Sequence, residues 1–295
     1  MSEINGVRYG FVTDRLLVVI AYVGAFGGAW VSMNYSEGMD LWLRIGVADV
    51  VATVIIFLTS VLTKNSSMYD PYWSVIPIVI LGYLFVVNGM PVSNPRVIMA
   101  SLVVLYWGIR LTNNWLITWP GLNHEDWRYR KLAADTGAFY WPVSFLGIHL
   151  FPTILVFLGC LALIPIFSSE APFSWTDGLG FLVSLIAIEI ERRADNQLRE
   201  FRANPANGKV CNVGLWKYSR HPNYFGEITF WGGLFIMAYG INPDANLIYG
   251  IGFLSMVILF IFVSIPMMEK RQISKPGYEE YRSQVSMLVP WFPKK

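Results

Sequence analysis

Four stretches of this 295-residue sequence crowd polar and titratable side chains against apolar neighbours. The densest is GLWKYSRHPNYFGE, residues 214–227, where Arg220 and His221 precede Pro222 and where Asn223 and Glu227 follow it. Asn223 and Glu227 stand at i and i+4, so on a helix they share one face and offer a ligand a donor and several acceptors. A carboxylate near a helix N-terminus is favourable in itself, which accounts for Glu227 but not for Arg220, His221 and Asn223 beside it. Upstream, EIERRADNQLREFRANP, residues 189–205, sets Asp195, Arg199 and Arg202 at helical spacings. Paired arginines suit phosphate recognition, and an ordinary basic helix at a membrane surface has the same composition.

The other two stretches lie nearer the amino terminus. KNSSMYDPYWS, residues 64–74, places Asp70 with Tyr69, Tyr72 and Trp73 at the entrance to an apolar run. Asp70 before Pro71 reads as a plain N-cap, or as a partly desolvated carboxyl that keeps its proton and can donate it. LYWGIRLTNNW, residues 105–115, sets Arg110 inside an apolar segment, with Tyr106 and Asn114 one turn to either side on the same face. An intramembrane arginine needs an acidic partner, an anionic ligand or a water-filled cavity, and Asp49 in an earlier segment is the candidate structural partner. HEDWRYR, residues 124–130, follows and contains Arg128; it could form an interfacial salt-bridge lattice or part of a polar site.

The elements that must position these groups follow from composition. Hydrophobic residues make up 55% of the chain and charged residues only 14%, against about 25% charged in soluble domains. Eight apolar segments recur, near 14–34, 41–63, 73–90, 96–118, 141–167, 174–191, 224–240 and 245–266. Most reach the roughly 17 to 25 residues that a bilayer span requires. The seventh is short and opens with Glu227, so the expectation is seven or eight transmembrane helices. Lipid cannot satisfy backbone polar groups, which selects an all-α, polytopic helical bundle. Lys and Arg gather in alternate connectors, including Arg128 to Lys131, Arg192 to Arg220 and Lys270 to Arg282, while Glu37, Asp40, Glu170, Asp177 and Asp244 occupy the others. If all eight segments cross, the positive-inside rule puts the basic connectors, and the amino terminus with them, in the cytoplasm.

Other classes are excluded on the same grounds. A net charge of +2 argues against a nucleic-acid partner. Cys160 and Cys211 fall in a span and in a connector, which suggests neither a disulfide nor a metal site. No Gly-x-Gly-x-x-Gly follows a strand, so no Rossmann domain is expected and a nucleotide would be held by side chains between helices. The amino terminus lacks the pattern of a cleaved signal. No repeat or linker appears, and residues 1–295 read as one membrane-embedded domain.

GLWKYSRHPNYFGE, ADNQLREFR and the tail PGYEEYRSQVSMLVPWFP together resemble the steroid 5α-reductase family, here in a bacterial form, within a wider superfamily of sterol reductases and isoprenylcysteine carboxyl methyltransferase-like proteins. The resemblance runs from about Asp195 to the carboxy terminus, and SMYDPYWSVIP is similar to a bacterial branch. It implies an NADPH-dependent enzyme that reduces a carbon–carbon double bond conjugated to a ketone, typically in a Δ4-3-ketosteroid. It implies that Asn223 and Glu227 lie near nicotinamide and its ribose, and that Asp195 and Arg202 touch ribose and phosphate. Tyr218 sits where the family has a tyrosine, and Arg199, Arg220, His221, Arg128 and Arg110 complete the expected cofactor contacts. Asp70 falls on the family's proton-donor glutamate and Arg110 on its arginine, whereas the family's tyrosine falls on Trp107, next to Tyr106. Asp70, with Tyr106 or Tyr72, is therefore the expected donor. In the tail EKRQ, Glu269 to Gln272, replaces the family's basic run.

The resemblance divides the chain into helices at 1–118 lining a substrate pocket, with Tyr69, Trp73, Trp107 and Asp49 against the substrate, and a cofactor-binding region at 119–295. An apolar, steroid-like enone would enter from the bilayer, and the enzyme would sit in a bacterial inner membrane with its cofactor facing the cytoplasm. Two rivals stand beside this reading. Isoprenylcysteine-type and phospholipid methyltransferases, which use S-adenosylmethionine, share an R-H-P-x-Y-x-G stretch, here Arg220 to Gly226. A transporter or receptor would leave the basic clusters as signals of topology alone.

Overall fold

The computed structural model describes residues 2–4, 7–9, 11–241 and 247–294. Apart from a short antiparallel hairpin of β1 (Ser2–Ile4) and β2 (Val7–Tyr9), the described chain is helical. Six helical stretches among the described residues are long and apolar enough to cross a membrane: Val12–Tyr35, Leu41–Thr63, Ser66–Val87, Pro95–Thr118, Trp127–Ser168 and Leu247–Gln272. The protein is a multi-pass integral membrane protein.

The expected segments at 174–191 and 224–240 do form helices, but neither is among these six. The first belongs to a 29-residue helix whose later half is crowded with charge from Glu189 onward, and the second opens on polar Asn223 and Glu227. These polar ends dilute the hydropathy that a span requires. Asp244 and the first residues of the eighth segment lie outside the described residues.

Two compact units interleave along the sequence. The first holds Met1–Val87 and Trp107–Leu161. It contains α1 (Phe11–Tyr35), α2 (Leu41–Thr63), α3 (Tyr72–Val87), the end of α4 (Pro95–Thr118), α5 (Trp127–Thr136), α6 (Tyr140–Ser144) and α7 (Phe151–Cys160). Its connectors are bound together by side chains that satisfy the backbone. Asn65 accepts from Ser67 N–H (2.9 Å) and donates to the Leu122 and His124 carbonyls (2.8 and 3.1 Å). Asp14 accepts from Leu122 N–H at 3.0 Å. Between α6 and α7 a π turn, Phe145–Leu150, brings buried His149 against the Ser144 carbonyl (3.0 Å) and the Ser60 hydroxyl (3.1 Å).

The second unit holds Asn88–Tyr106 and Ala162–Lys295. It contains the start of α4, then α8 (Leu163–Ser168), α9 (Trp175–Ala203), α10 (Pro222–Tyr239), α11 (Gly250–Leu259), α12 (Ile265–Gln272) and α13 (Tyr278–Gln284). Arg96 on α4, 1% exposed, pairs with Asp177 at the start of α9 (2.7 Å) and donates to the Ala171 and Pro172 carbonyls (3.1 and 2.8 Å). Every donor of this buried guanidinium group that these contacts use meets an acceptor, as the membrane interior requires.

α9 and α10 pack along their length, and small residues make this possible. A Cβ on Gly226 would meet Glu191 Cβ at 2.7 Å and the Ala187 carbonyl at 2.8 Å; one on Gly180 would meet the Gly233 carbonyl at 2.5 Å. His221 is non-helical, with φ −138° and ψ 58°, and Pro222 then starts α10, a break in the helix at the His-Pro bond. Gly226→Leu is expected to force the two helices apart and cost about 1–3 kcal/mol, read as a lowered thermal midpoint in detergent. Gly24→Ala in α1, whose new Cβ meets nothing within 4 Å, is expected to leave the midpoint unchanged or raise it.

Candidate functional site

The opening stretch of α10 folds onto the end of α9 through an apolar patch. Ala194, Phe201, Cys211 and Trp216 form its buried core, with Leu198 and Leu215 against them. The Trp216 indole donates to the Ala194 carbonyl (2.9 Å), and Leu215 N–H donates to the Gln197 side chain (2.8 Å). Gly214 has φ +55°, and any side chain there would run into Gln197. This seat fixes Arg220, His221 and Asn223 over the C-terminal half of α9.

Beside it lies a cavity of about 290 Å³, entirely within the second unit. Four of the residues singled out from the sequence line it: Arg202, Arg220, His221 and Asn223. Lys209 and Lys275 also line it, and no Asp or Glu among the described residues does. Burial first, and then repulsion from neighbouring cations, lowers the pKa of Arg202 and of Lys275. The Arg202 guanidinium is held below its ordinary pKa by burial and by Arg271. Lys275 is likewise pulled down by burial and then by Arg202, Arg271 and Lys209. Tyr278 on the opposite wall is pushed up to about 12, chiefly by burial. Asn223 donates toward Asp195 at 3.4 Å, while its Oδ1 is buried with no hydrogen-bond partner among the described residues.

Arg220 is occupied differently from the phosphate contact expected of it. Its Nε donates to Glu269 (2.7 Å) and its Nη1 to the carbonyls of Arg282 and Val285 (2.8 and 2.6 Å). Glu269 on α12 also faces His221 Nε2 at 3.5 Å and Arg282 Nε at 3.4 Å. The His221 ring stacks on Tyr224, with centroids 5.2 Å apart and planes within 8°. The tail closes the same wall: the Tyr281 hydroxyl donates to the Trp216 carbonyl (2.6 Å), Ser219 Oγ to the Leu288 carbonyl (2.7 Å) and Trp291 N–H to the Tyr218 carbonyl (2.9 Å).

The remaining expected cofactor contacts do not line this cavity. Arg199 is exposed and donates to Asn196 (2.5 Å), and Tyr218 packs edge-on against Phe292. Glu227 is buried and accepts from the Trp231 indole one turn later (2.9 Å). Arg128 and Arg110 belong to the first unit, where Arg128 pairs with Asp126 (2.8 Å) and lies over the Tyr129 ring.

The first unit sets two carboxyls each against a tyrosine. Asp70 Oδ1 accepts from the Tyr129 hydroxyl at 2.6 Å. Asp49, 2% exposed on α2, accepts from the Tyr72 hydroxyl at 2.6 Å. Tyr72 is thus the partner of Asp49 rather than of Asp70, and Tyr106 donates to Glu189, which Arg192 also holds (2.8 Å). Tyr69 and Trp107 are fully buried, Trp73 is half-buried, and the Tyr69 hydroxyl meets Thr153 at 2.7 Å. Tyr129, Lys209 and Lys275 were not assigned site roles from the sequence. Tyr129 lies in the charge-dense HEDWRYR run, which was a signal; the two lysines read only as topology.

With this geometry in view, residues 56–285 match the family described as "Protein of unknown function (DUF1295)", and the chain belongs to that family. It is 24% identical over 258 residues to the "Uncharacterized protein C594.04c" of Schizosaccharomyces pombe, covering 78% of this chain and 74% of that one. It is also 34% identical over 80 residues to "Methanethiol S-methyltransferase 1" of Bradyrhizobium diazoefficiens, a stretch that covers 26% of this chain and 25% of that enzyme. No solved structure matches it significantly. The link is to a broad superfamily of membrane reductase-like and methyltransferase-like proteins.

Glu269 is the acceptor on which the walls of the cavity converge. Glu269→Ala and Arg220→Ala are each expected to lower stability by about 1.5–3 kcal/mol, because each removes the shortest charged partner of a largely buried group. The double variant is expected to cost clearly less than the sum, which a double-mutant cycle of thermal unfolding measures.

Proposed function

We propose that this protein is a membrane oxidoreductase of the steroid 5α-reductase kind, which uses NADPH to reduce a carbon–carbon double bond conjugated to a ketone in an apolar substrate. The observation that carries this reading is the charge of the second unit's cavity, where Arg202, Lys209 and Lys275 stand with no carboxylate among the described lining residues. Cations that already depress one another favour a ligand of strong negative charge, and arginine with lysine suits a phosphate. S-adenosylmethionine carries a sulfonium and an ammonium against one carboxylate, so the same wall repels it. The orphaned Asn223 Oδ1 accepts an N–H, such as that of a carboxamide or an adenine amino group.

When bound, NADPH supplies the hydride that adds to the β-carbon of the enone. The substrate's ketone oxygen then gains negative charge until the α-carbon takes a proton, and a preorganised donor at that oxygen lowers the barrier by about 3–4 kcal/mol. Carboxyls held by tyrosines, such as Asp70 with Tyr129, are groups of the right type. On this reading the enzyme sits in a bacterial inner membrane, and the basic residues around the cavity support a site that faces the cytoplasm.

Methyl transfer is the second reading, and the match to a named methyltransferase favours it over reduction. Charge favours reduction, and ligand binding separates the two. NADPH at a hundred times its Kd is expected to stabilise the purified protein by about 2.7 kcal/mol, with no shift from S-adenosylmethionine. Arg202→Ala and Lys275→Ala are each expected to weaken NADPH about tenfold, or about 1.4 kcal/mol. A thermal shift with S-adenosylmethionine alone would assign the site to methyl transfer instead.

Lys275 gives this binding a pH dependence. Its folded pKa lies below the ordinary 10.5. Affinity for the anion is full below that lowered value and begins to fall as pH rises through it, at a pH below the ordinary 10.5. Over the same window the ligand-free protein gains stability, because the unfolded chain holds the proton longer. Titrations of NADPH and of thermal unfolding across alkaline pH measure the two opposite trends.

A further inference from the structure

After α13 ends at Gln284 the chain returns across the start of α10 as a strap, residues 286–294. Arg220 N–H donates to the Ser286 carbonyl (2.8 Å) and Ser219 Oγ to the Leu288 carbonyl (2.7 Å). Trp291 N–H donates to the Tyr218 carbonyl, and Lys294 N–H to the Gln284 carbonyl, each at 2.9 Å. Pro290 and Pro293 bracket Trp291 and Phe292 and narrow the backbone further. The strap is therefore a fixed ledge.

Its side chains run against the usual preference of a water-facing surface. Trp291 is 71% exposed, Phe292 78% and Val289 57%, and Tyr218, edge-on to Phe292, is exposed as well. A tied backbone that turns large aromatics outward marks an interaction surface. Two exposed cations flank it in the chain, Lys217 beside Tyr218 and Lys294 just after Phe292.

An ion pair sets the height of this ledge. Glu269 lies three residues before the end of the span Leu247–Gln272, and Arg220 Nε donates to it at 2.7 Å. Tyr218, two residues before Arg220, and Trp291 on the Tyr218 carbonyl are thereby held near the level where that span ends. Lys270 and Arg271 occupy the same end of the span. Amphipathic aromatic rings collect at the membrane–water boundary, and lysines beside them meet the phosphates of anionic lipids.

We infer that the strap is an interfacial anchor whose partner is an anionic phospholipid leaflet. Val289, Trp291 and Phe292 enter the boundary between headgroups and acyl chains at the basic end of this span, and Lys217 and Lys294 rest on lipid phosphates. The inference is independent of which reaction the protein catalyses.

The test places a nitroxide label at Val289→Cys in the full-length protein in lipid nanodiscs, with Glu280→Cys on the exposed side of α13 as the aqueous reference. Cys160 and Cys211 are both buried, and labelling of the unsubstituted protein gives the background. In discs containing phosphatidylglycerol the 289 label is expected to collide chiefly with oxygen, which partitions into lipid. The 280 label is expected to collide chiefly with a water-soluble nickel chelate. Trp291→Ser combined with Phe292→Ser is expected to shift the 289 label to the 280 pattern, while the 280 spectrum itself stays unchanged. In discs of phosphatidylcholine alone, or with Lys217→Gln and Lys294→Gln, the 289 label is expected to lose part of its preference for oxygen. A 289 label that behaves like the 280 label without the serine substitutions overturns the inference. So does one shielded from both reagents, the result that a second copy covering the patch would give. Equal immersion in neutral and anionic discs overturns the assignment to anionic lipid.

Discussion

The close approach of α9 and α10 is the constraint on which the second unit depends. Two backbones meet at Gly180, Gly226 and Gly233 because no side chain stands between them. In lipid there is little hydrophobic force between helices, so close packing of small residues takes its place. The register of that contact sets Asn223 across from Asp195 and turns the start of α10 over the end of α9. Arg202 near the end of α9, and His221 and Asn223 at the start of α10, enter the lining of the cationic cavity from this pair of helices.

Buried charge is handled in two ways in this molecule. Arg96 with Asp177, and Arg220 with Glu269, are closed arrangements in which carbonyls and carboxylates surround the guanidinium. Such groups hold connectors in place and offer little to a ligand. Arg202, Lys209 and Lys275 are the opposite case, cations brought together without a lining carboxylate. The pKa of Lys275 is lowered by its burial and then by repulsion from Arg202, Arg271 and Lys209. A fold tolerates such a site when a partner of opposite charge repays the repulsion on binding. Asp49 presents the same logic with one atom: a direction fixed by Tyr72, and an oxygen without a partner among the described residues.

Much of the architecture was legible in the sequence, because apolar length alone specifies a membrane helix. The segments at 41–63 and 96–118 coincide closely with α2 and α4. The count was less legible. α9 and α10 carry helical sequence with polar ends, and length with periodicity does not say which helices lie across a bilayer. In the cationic cavity, Arg202, His221 and Asn223 could be singled out because polar residues beside apolar segments are costly and therefore conspicuous. Lys209 and Lys275 could not, since a lysine in a basic connector has a sufficient explanation in topology.

The sequence by itself determined the class of molecule, the break at His221-Pro222 and the set of polar groups that had to be accommodated. Composition and local backbone chemistry act over a few residues, and they are readable without a fold. The pairings were decided only in three dimensions. Tyr72 stands two residues from Asp70 yet donates to Asp49 on another helix, and Tyr129 reaches Asp70 from 59 residues away. Arg220 looked like a phosphate ligand until Glu269 and the tail carbonyls surrounded it. A side chain's partner depends on which helix faces it and at what height, and that is a property of packing between elements rather than of any one of them.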